Sequence, residues 1–365
     1  MRPRFEQDLR HYGELAKGEH DIDVAMSEDK NIAQDFRDFS GALNWRLKKT
    51  AEGQQTPKEA QKAIYSFQKE KQEIMRDFKA ELACLDDPEC KQREREPNER
   101  YATYNEESQR FNYMDDEGYK REATFGEIIT DLEWDVDYFL DKDRVPRGLY
   151  KTYLLERAKR DLSEKLDQQI IASESESSGV HEWKREAYKR VAQKKETGEI
   201  KKRSGYVCEK IVTNFLKQLS IDDELPFLIR RADIYQDVEQ KIDFIIHREE
   251  HVRGVGVEAG KQDVGIQFSI NERTREKKQT QVARAKRRLG QRESIKDIIL
   301  VIFPEIIAGD LMKKWKDEGR QAGGPEKGLD QKLAQELYSR LLGGVFSEKE
   351  ISRQWDKVSG KFIEN

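Results

Sequence analysis

Four short apolar segments in the second half of the chain, interrupted by one strongly basic segment, constrain the fold most. An apolar face at helical spacing over 206–219 predicts a helix before them, and the basic segment 276–289 predicts a helix between the third and the fourth. Their β-branched and aromatic residues are typical of strands: 227–234, 241–246, 264–270 and 297–303. This order predicts a mixed sheet with helices on its faces, and hence an α+β chain.

The first half of the chain shows a different pattern. Apolar residues at helical spacing predict a charged helical region, with one helix at 124–140, whereas the polar residues 89–120 predict a linker. A run of serine and glutamate then indicates a domain boundary. The predicted organisation is an acidic, weakly structured segment, the helical region, a linker, the domain with the mixed sheet, and C-terminal helices: 1–55, 56–172, 173–180, 181–310 and 311–365.

Hydropathy and cysteine content limit the environment of the chain. No apolar run approaches the roughly 20 residues that cross a bilayer, and the N-terminal residues lack the apolar core of a signal peptide. We therefore expect no membrane partner and a cytoplasmic location. Cys84, Cys90 and Cys208 are too few for a disulfide framework, which fits a reducing compartment. A zinc site is disfavoured because no histidine lies near Cys84 and Cys90.

Several polar residues lie where an apolar sheet core does not require them. Glu209 is in the first helix, Asp243 in the second strand, and Gln267 and Ser269 in the third. Alternation along a strand places Lys241 with Asp243 on one face, and Gln267 with Ser269 on one face. If the two strands are neighbours, these side chains converge. Oxygen ligands of this kind suit Mg²⁺, which makes Asp243 and Gln267 candidate metal ligands.

The order of elements and these residues resemble the core of the PD-(D/E)XK nuclease superfamily. The segments that carry the resemblance are the helix with Glu209, the sequence Asp237-Val-Glu-Gln-Lys-Ile-Asp243, the sequence Gly265-Ile-Gln-Phe-Ser269, the basic helix and the last strand. It covers about residues 200–304. The resemblance implies an α-β-β-β-α-β, restriction-endonuclease-like mixed sheet and Mg²⁺-dependent hydrolysis of phosphodiester bonds.

The resemblance also implies catalytic roles for individual residues. Asp243 matches the metal-binding aspartate, and Glu209 matches the acidic residue often present on the first helix. Gln267 replaces the usual glutamate or aspartate, and Ser269 replaces the usual catalytic lysine. Because a serine hydroxyl cannot replace an ammonium group, Lys241 on the adjacent strand is the candidate catalytic cation.

The basic segment predicts a nucleic-acid partner. Residues 273–296 carry a net charge of +8, and such a cationic helix beside a phosphoryl-transfer site is typical of binding to the DNA or RNA backbone. A solvated charged helix face is the simpler alternative. The candidate binding residues are Lys277, Lys278, Arg284, Lys286, Arg287 and Arg288.

Residues 106–143 have the opposite charge, a net −9. This acidic region could dock on the basic helix and compete with nucleic acid, so a chain that starts near Ser178 would bind DNA or RNA more tightly than the full chain. Three functions stay open at this point. They are a Mg²⁺-dependent nuclease, an inactive module with the nuclease fold that binds nucleic acid, and a helical scaffold without a nucleic-acid role.

Overall fold

The computed structural model of the chain describes residues 41, 57–176, 182–196, 204–232, 236–248, 263–288 and 295–361. The predicted weakly structured segment 1–55, except Gly41, lies outside these residues. The chain divides into two compact units. The first unit comprises residues 1–94 and 141–180, and the second comprises residues 95–140 and 181–365.

The described residues form helices and strands, several of which follow others of the same type. Short 3₁₀ turns and one π-helical turn, Gln236–Gln240, connect some of them. The order is α1 Pro57–Asp86, β1 Arg100–Asn105, β2 Arg110–Met114, β3 Lys120–Ala123, α2 Phe125–Asp131, β4 Tyr138–Leu140, α3 Arg147–Glu176, α4 Glu182–Glu196, α5 Ser204–Asp222, β5 Phe227–Arg231, β6 Phe244–Arg248, β7 Asp263–Ser269, α6 Arg275–Arg288, β8 Ile295–Ile302, α7 Glu305–Asp317, α8 Gln331–Leu342 and α9 Glu348–Val358.

The first unit is built on α1 and α3, which pack against each other as an antiparallel pair. Ion pairs between Lys165 and Glu70 (2.9 Å) and between Arg157 and Glu81 (3.7 Å) show the direction, because the residue numbers run in opposite senses. Apolar side chains recur along the inner face of each helix and are buried between them, which favours this pairing: Phe67, Met75, Phe78, Leu82, Tyr153, Leu154, Leu162 and Leu166.

The second unit begins with a four-stranded sheet that the sequence did not predict. Its strand order is β3-β2-β1-β4, with β1 antiparallel to β2 and parallel to β4. The linker predicted at 89–120 is therefore wrong, and the helix predicted at 124–140 is limited to α2. The buried residues of these strands are small or aromatic and stand among partly exposed and polar residues, so the apolar pattern of a strand is weak. The buried positions are Ala102, Phe111, Tyr113 and Ala123.

A second four-stranded sheet forms the centre of this unit. Its order is β5-β6-β7-β8; β6 is antiparallel to β5 and β7, whereas β7 and β8 are parallel and are connected through α6. Residues 204–302 thus follow the order helix, three strands, helix, strand. The predicted α+β class is confirmed, and β5 and β8 form the edges of the sheet.

Helices cover both faces of the second sheet. Apolar residues of α5, α7, α8 and α9 share one core with one face, among them Ile211, Phe215, Leu311, Tyr338 and Trp355. A smaller core on the other face is formed by Val282 and Ala285 of α6 against sheet residues, among them Ile245 and Ile298. The sheet is therefore buried on both sides, which explains the nearly continuous apolar composition of its strands.

A buried carboxylate joins the first sheet to the C-terminal half of the unit. Asp131, at the end of α2, is fully buried and accepts hydrogen bonds from the hydroxyl of Tyr138 (2.7 Å) and the backbone N–H of Gly323 (3.0 Å). Gly323 has φ +93°, and a Cβ there would lie 2.9 Å from the Glu127 side chain, so this position requires glycine.

The cysteines differ from the expectation. Cys84 and Cys90 form a disulfide that closes a short loop after α1, whereas Cys208 is a free, buried thiol in α5. Three cysteines are too few for a network of disulfides, but they can still form one local disulfide. The low cysteine count therefore no longer supports the expectation of a reducing compartment. In the described part of the chain, no helix is both long and apolar enough to cross a membrane.

Candidate functional site

Asp243 lies immediately before β6, and hydrogen bonds join it to β7. Its backbone N–H donates to the carbonyl of Ile266 (2.8 Å), and its carboxylate accepts a hydrogen bond from the backbone N–H of Phe268. These two contacts flank Gln267 along β7. The second and third strands are therefore neighbours beside Asp243 and Gln267, which is the condition that the predicted convergence of these side chains required, but Asp243 lies just outside its strand.

Lys241 does not continue the strand pattern. Its φ is +60°, a left-handed conformation in which the chain turns after the π-helical turn Gln236–Gln240. The alternation used to place Lys241 and Asp243 on one strand face therefore does not apply, because alternation requires extended backbone at both residues. The ammonium group of Lys241 donates to the carbonyl of Val238 (2.6 Å).

Gln267 and Ser269 are both buried in β7. The amide oxygen of Gln267, whose side chain is 2% exposed, has no hydrogen-bond partner, which is unusual for a buried polar atom. The hydroxyl of Ser269 lies 3.1 Å from the hydroxyl of Thr274, just before α6. Ser269 therefore anchors the entry to the basic helix, whereas the amide oxygen of Gln267 is buried without a hydrogen-bond partner.

Glu209 and Asp243 form an electrostatic cluster with Asp237, a residue of the π-helical turn. Burial, followed by the negative charges of Asp243 and Asp237, raises the pKa of Glu209 well above its usual range. Burial and the charge of Asp237 raise the pKa of Asp243 to about 7, opposed by the Phe268 N–H and by the charges of Lys278 and Lys241. Crowded carboxyl groups of this kind favour bound protons or a bound cation.

Sequence reasoning did not select Asp237 as a site residue. It lies six residues before Asp243, inside the segment that carries the family resemblance, but its π-helical turn has no signature that the sequence pattern could reveal. The available signal was its acidic side chain close before the second strand.

The basic helix α6 presents most of the predicted nucleic-acid-binding residues to solvent. Lys277, Arg284, Lys286 and Arg287 are exposed, and Lys278 is partly buried. Lys286 forms an ion pair with Asp297 of β8 (2.6 Å). The side chain of Arg288, the remaining predicted residue, lies outside the described residues. The positive charge of Lys278 lowers the pKa of Asp243, so the start of the basic helix and the acidic cluster lie at the same end of the second sheet.

The acidic region 106–143 packs differently from the prediction. In the part of the chain that the structure describes, its extensive helix contact is between α2 and α5, and Glu133 forms an ion pair with Lys217 of α5 (3.4 Å). Burial opposes the ionisation of Glu133, but the charges of Lys217, Lys210 and Arg231 outweigh it and lower the pKa of Glu133 to about 2. The docking surface is therefore α5, since its lysines neutralise the acidic residue.

The packing of residues 106–143 on α5 affects how the truncated chain that starts near Ser178 can be interpreted. Residues 95–140 belong to the same compact unit as residues 181–365. A chain that starts near Ser178 would lose the first sheet and the cover of α5. Such a truncation removes part of a folded unit, so a change in its nucleic-acid affinity would not isolate competition by the acidic region.

A small pocket of about 20 Å³ opens beside the acidic cluster. That volume is enough for about one water molecule. Glu209 thus borders a polar pocket instead of the apolar core. The residues that line the pocket belong to α5, to β5, to β6 and to the turn that precedes β4. They are Glu133, Tyr206, Glu209, Lys210, Thr213, Lys217, Arg231 and Phe244.

The donor atoms suit a hard cation, although they form an incomplete set. Among the described residues, no three acidic, histidine or cysteine side chains are arranged to hold a metal ion. The carboxylate of Asp243 and the partnerless amide oxygen of Gln267 are oxygen ligands of the kind that Mg²⁺ accepts together with several waters. Comparisons of the chain with protein-family models, with curated proteins and with solved structures found no match.

Proposed function

We propose that this protein binds nucleic acid through α6 and hydrolyses phosphodiester bonds at the adjoining Asp243 site, as a member of the PD-(D/E)XK nuclease-like superfamily. The observation that carries the proposal is the meeting of the acidic cluster and the basic helix. The Asp243 carboxylate is bonded to Phe268, one residue before the end of β7, and α6 begins six residues after that strand end, at Arg275. A bound phosphate backbone would thereby be placed next to the carboxyl groups.

The arrangement of the second sheet supports the same proposal. The order helix, three strands, helix, strand over 204–302 is the order that the resemblance implies, and the acidic residue of α5 lies close to the aspartate before β6. Because many unrelated functions share a fold, this likeness alone would not support a nuclease. The added support is chemical, since carboxyl groups and an amide oxygen without a partner lie beside a cationic helix.

Each residue has a separate role in the proposed mechanism. Exposed cations of α6 bind the phosphate backbone and hold the scissile bond near the strand ends. Asp243 and Gln267 would hold Mg²⁺, which when bound polarises the phosphate and activates water. Lys241 places a positive charge near the phosphate. Burial and the neighbouring charges of Asp243 and Asp237 raise the pKa of Glu209, which favours its neutral form and reduces its repulsion toward the substrate.

The direct test is cleavage of fluorescent single-stranded DNA, double-stranded DNA and RNA by the full chain, with Mg²⁺ and with EDTA. We expect Mg²⁺-dependent cleavage of at least one substrate. Binding without cleavage of any substrate would replace the proposal with the second candidate, an inactive module that binds nucleic acid. The position of Ser269 favours that candidate, because its hydroxyl contacts Thr274 and supplies no ammonium group at the family's lysine position.

Removing three exposed cations of α6 is expected to weaken nucleic-acid binding. The variant with Lys277, Arg284 and Arg287 all changed to alanine should lose roughly 100-fold in affinity at about 0.1 M salt, and its slope of log affinity against log salt should fall by about 3, because each lost phosphate contact releases one counterion fewer. Fluorescence anisotropy at several salt concentrations measures both quantities.

The matched control changes three exposed lysines of α7: Lys313, Lys314 and Lys316. It should bind as the wild type does. Equal losses in both variants would show nonspecific attraction, and no binding by the wild type would favour the helical scaffold.

Changing Lys241 to methionine tests the proposed catalytic cation. We expect cleavage to slow by about 10- to 100-fold with unchanged nucleic-acid affinity, because a charge that acts on the transition state changes the rate and not the binding. Single-turnover rates with saturating enzyme measure this effect. Lys241→Arg, which keeps a positive charge, should retain more activity than Lys241→Met. Equal rates for wild type and Lys241→Met would exclude this role.

A further inference from the structure

The loop between Cys84 and Cys90 is held closed by a lysine. The ammonium group of Lys142 donates hydrogen bonds to the backbone carbonyls of Cys84 (2.8 Å), Asp87 (3.2 Å) and Cys90 (2.7 Å). Cys84 lies in the last turn of α1, where carbonyl groups have no partner within the helix, so a cation is favourable at this position. One side chain thus fixes both ends and the middle of the loop.

Further hydrogen bonds stabilise the same loop without involving sulfur. The carboxylate of Asp87 accepts a hydrogen bond from the backbone N–H of Glu89 (2.9 Å). The backbone carbonyl of Asp87 accepts one from the backbone N–H of Cys90 (3.1 Å). Gln92 accepts from the backbone N–H of Lys142 (3.2 Å), which ties the loop to the segment before α3. None of these contacts involves a sulfur atom, so the donors and acceptors that hold the loop are the same in the reduced chain.

The positions of the cysteines allow exchange with a thiol. Their Cα atoms are 5.2 Å apart, within the usual range for a disulfide. Both residues are partly exposed, and the neighbouring residues 87–89 and 91 are exposed. A disulfide in an exposed loop is accessible to an attacking thiolate, whereas a buried one is protected from it.

We propose that Cys84 and Cys90 form a reversible thiol–disulfide site, with Lys142 as its positioning residue and a low-molecular-weight thiol such as glutathione as its co-reactant. A glutathione thiolate attacks one sulfur, forms a mixed disulfide and releases the other cysteine as a thiolate, which takes up a proton. A second glutathione thiolate then attacks the glutathione sulfur of the mixed disulfide, which forms glutathione disulfide and releases the first cysteine as a thiolate that also takes up a proton. Two glutathione molecules are oxidised and one protein disulfide is reduced.

The experiment measures the equilibrium between the full chain and glutathione buffers of known ratio. Acid quenching, alkylation and mass spectrometry of the peptide that holds both cysteines give the oxidised fraction. We expect the equilibrium constant for forming the disulfide to fall about tenfold in Lys142→Met, equivalent to about 30 mV for this two-electron couple. The loss follows because the reduced loop no longer holds the two thiols together.

Two references make the result specific. Lys91→Met removes an exposed charge next to Cys90 without touching the three carbonyls, and it should leave the constant within about twofold. A synthetic peptide of residues 82–92 lacks Lys142 altogether, and the wild-type constant should exceed the peptide's by about tenfold or more. A wild-type constant equal to the peptide's would overturn the proposal even if Lys142→Met does not fold. If Lys142→Met leaves the equilibrium constant for disulfide formation unchanged, the proposed role of Lys142 as the positioning residue is wrong.

Discussion

Replacing Asp243 by asparagine is expected to lower Mg²⁺-dependent cleavage by at least about 100-fold, while nucleic-acid affinity stays within about twofold. Asparagine keeps the size of the side chain and an oxygen that can accept from the Phe268 N–H, but it has no negative charge to bind a cation. Because the exposed cations of α6 are unchanged, binding is preserved. Single-turnover cleavage and anisotropy, measured on the same preparations, separate the two effects.

The outcome can be distinguished from general damage to the fold. Asp356, an exposed carboxylate on α9, provides the matched control, and Asp356→Asn should cleave at the wild-type rate. Asp243→Asn should also gain stability above about pH 7, because burial raises the pKa of Asp243 to about 7 and its ionisation in the fold is unfavourable. Full activity of Asp243→Asn would exclude the proposed site.

Replacing Asp131 by alanine is expected to lower the free energy of unfolding by about 3 kcal/mol at pH 5. The variant leaves the hydroxyl of Tyr138 and the backbone N–H of Gly323 without their partner in a fully buried position. Asp131→Asn keeps the shape, an oxygen that accepts from the Gly323 N–H and an NH2 group that can donate to the Tyr138 hydroxyl, so it should lose much less. Urea unfolding followed by circular dichroism measures both. Equal stability of Asp131→Ala and wild type would show that this network does not hold the first sheet in place.

The same carboxyl group should make stability depend on pH. Burial raises the pKa of Asp131 from its usual 3.8 to about 7, so the fold binds this proton more tightly than the unfolded chain does. The resulting stabilisation is complete below about pH 4 and is lost as the pH rises through 7. At about 1.4 kcal/mol per pH unit, the interval sets an upper bound of about 4 kcal/mol. Asp131→Asn should gain up to this amount relative to wild type between pH 4 and pH 8, and parallel profiles would contradict the expectation.

The second sheet could be predicted from the sequence because its strands are buried on both faces. Residues such as those of 298–302 are apolar without interruption, and the basic composition of α6 marks the connection between the two parallel strands. The first sheet could not be predicted in this way. The strand Lys120–Ala123 buries only Ala123, and its charged residues resemble those of a helix or a linker.

The candidate site was predictable in its residues but not in its geometry. Asp243 and Gln267 were selected because they are polar residues in an apolar region. Gln267 lies in β7, and Asp243 is hydrogen-bonded to β7 on both sides of Gln267. The position of the Lys241 side chain could not be predicted. Its backbone has a positive φ, and lysine is not a residue type that favours this conformation. Contacts between residues far apart in sequence, such as Asp131 with Gly323, leave no local pattern at all.

The edge strand β8 has a further consequence for association of the chain with itself. Residues 298–302 are apolar, and among the described strands only β7 pairs with β8; an open edge of this kind can recruit a strand from another molecule and lead to aggregation. Two of its backbone groups are already bonded: the N–H of Ile298 to the Asp297 carboxylate (2.8 Å) and the carbonyl of Leu300 to the Arg340 guanidinium (3.5 Å). Residues two apart in a strand direct these groups to the same side, so an incoming strand would have to displace both contacts. The carboxylate that pairs with Lys286 thus also occupies a backbone group that an incoming strand would need.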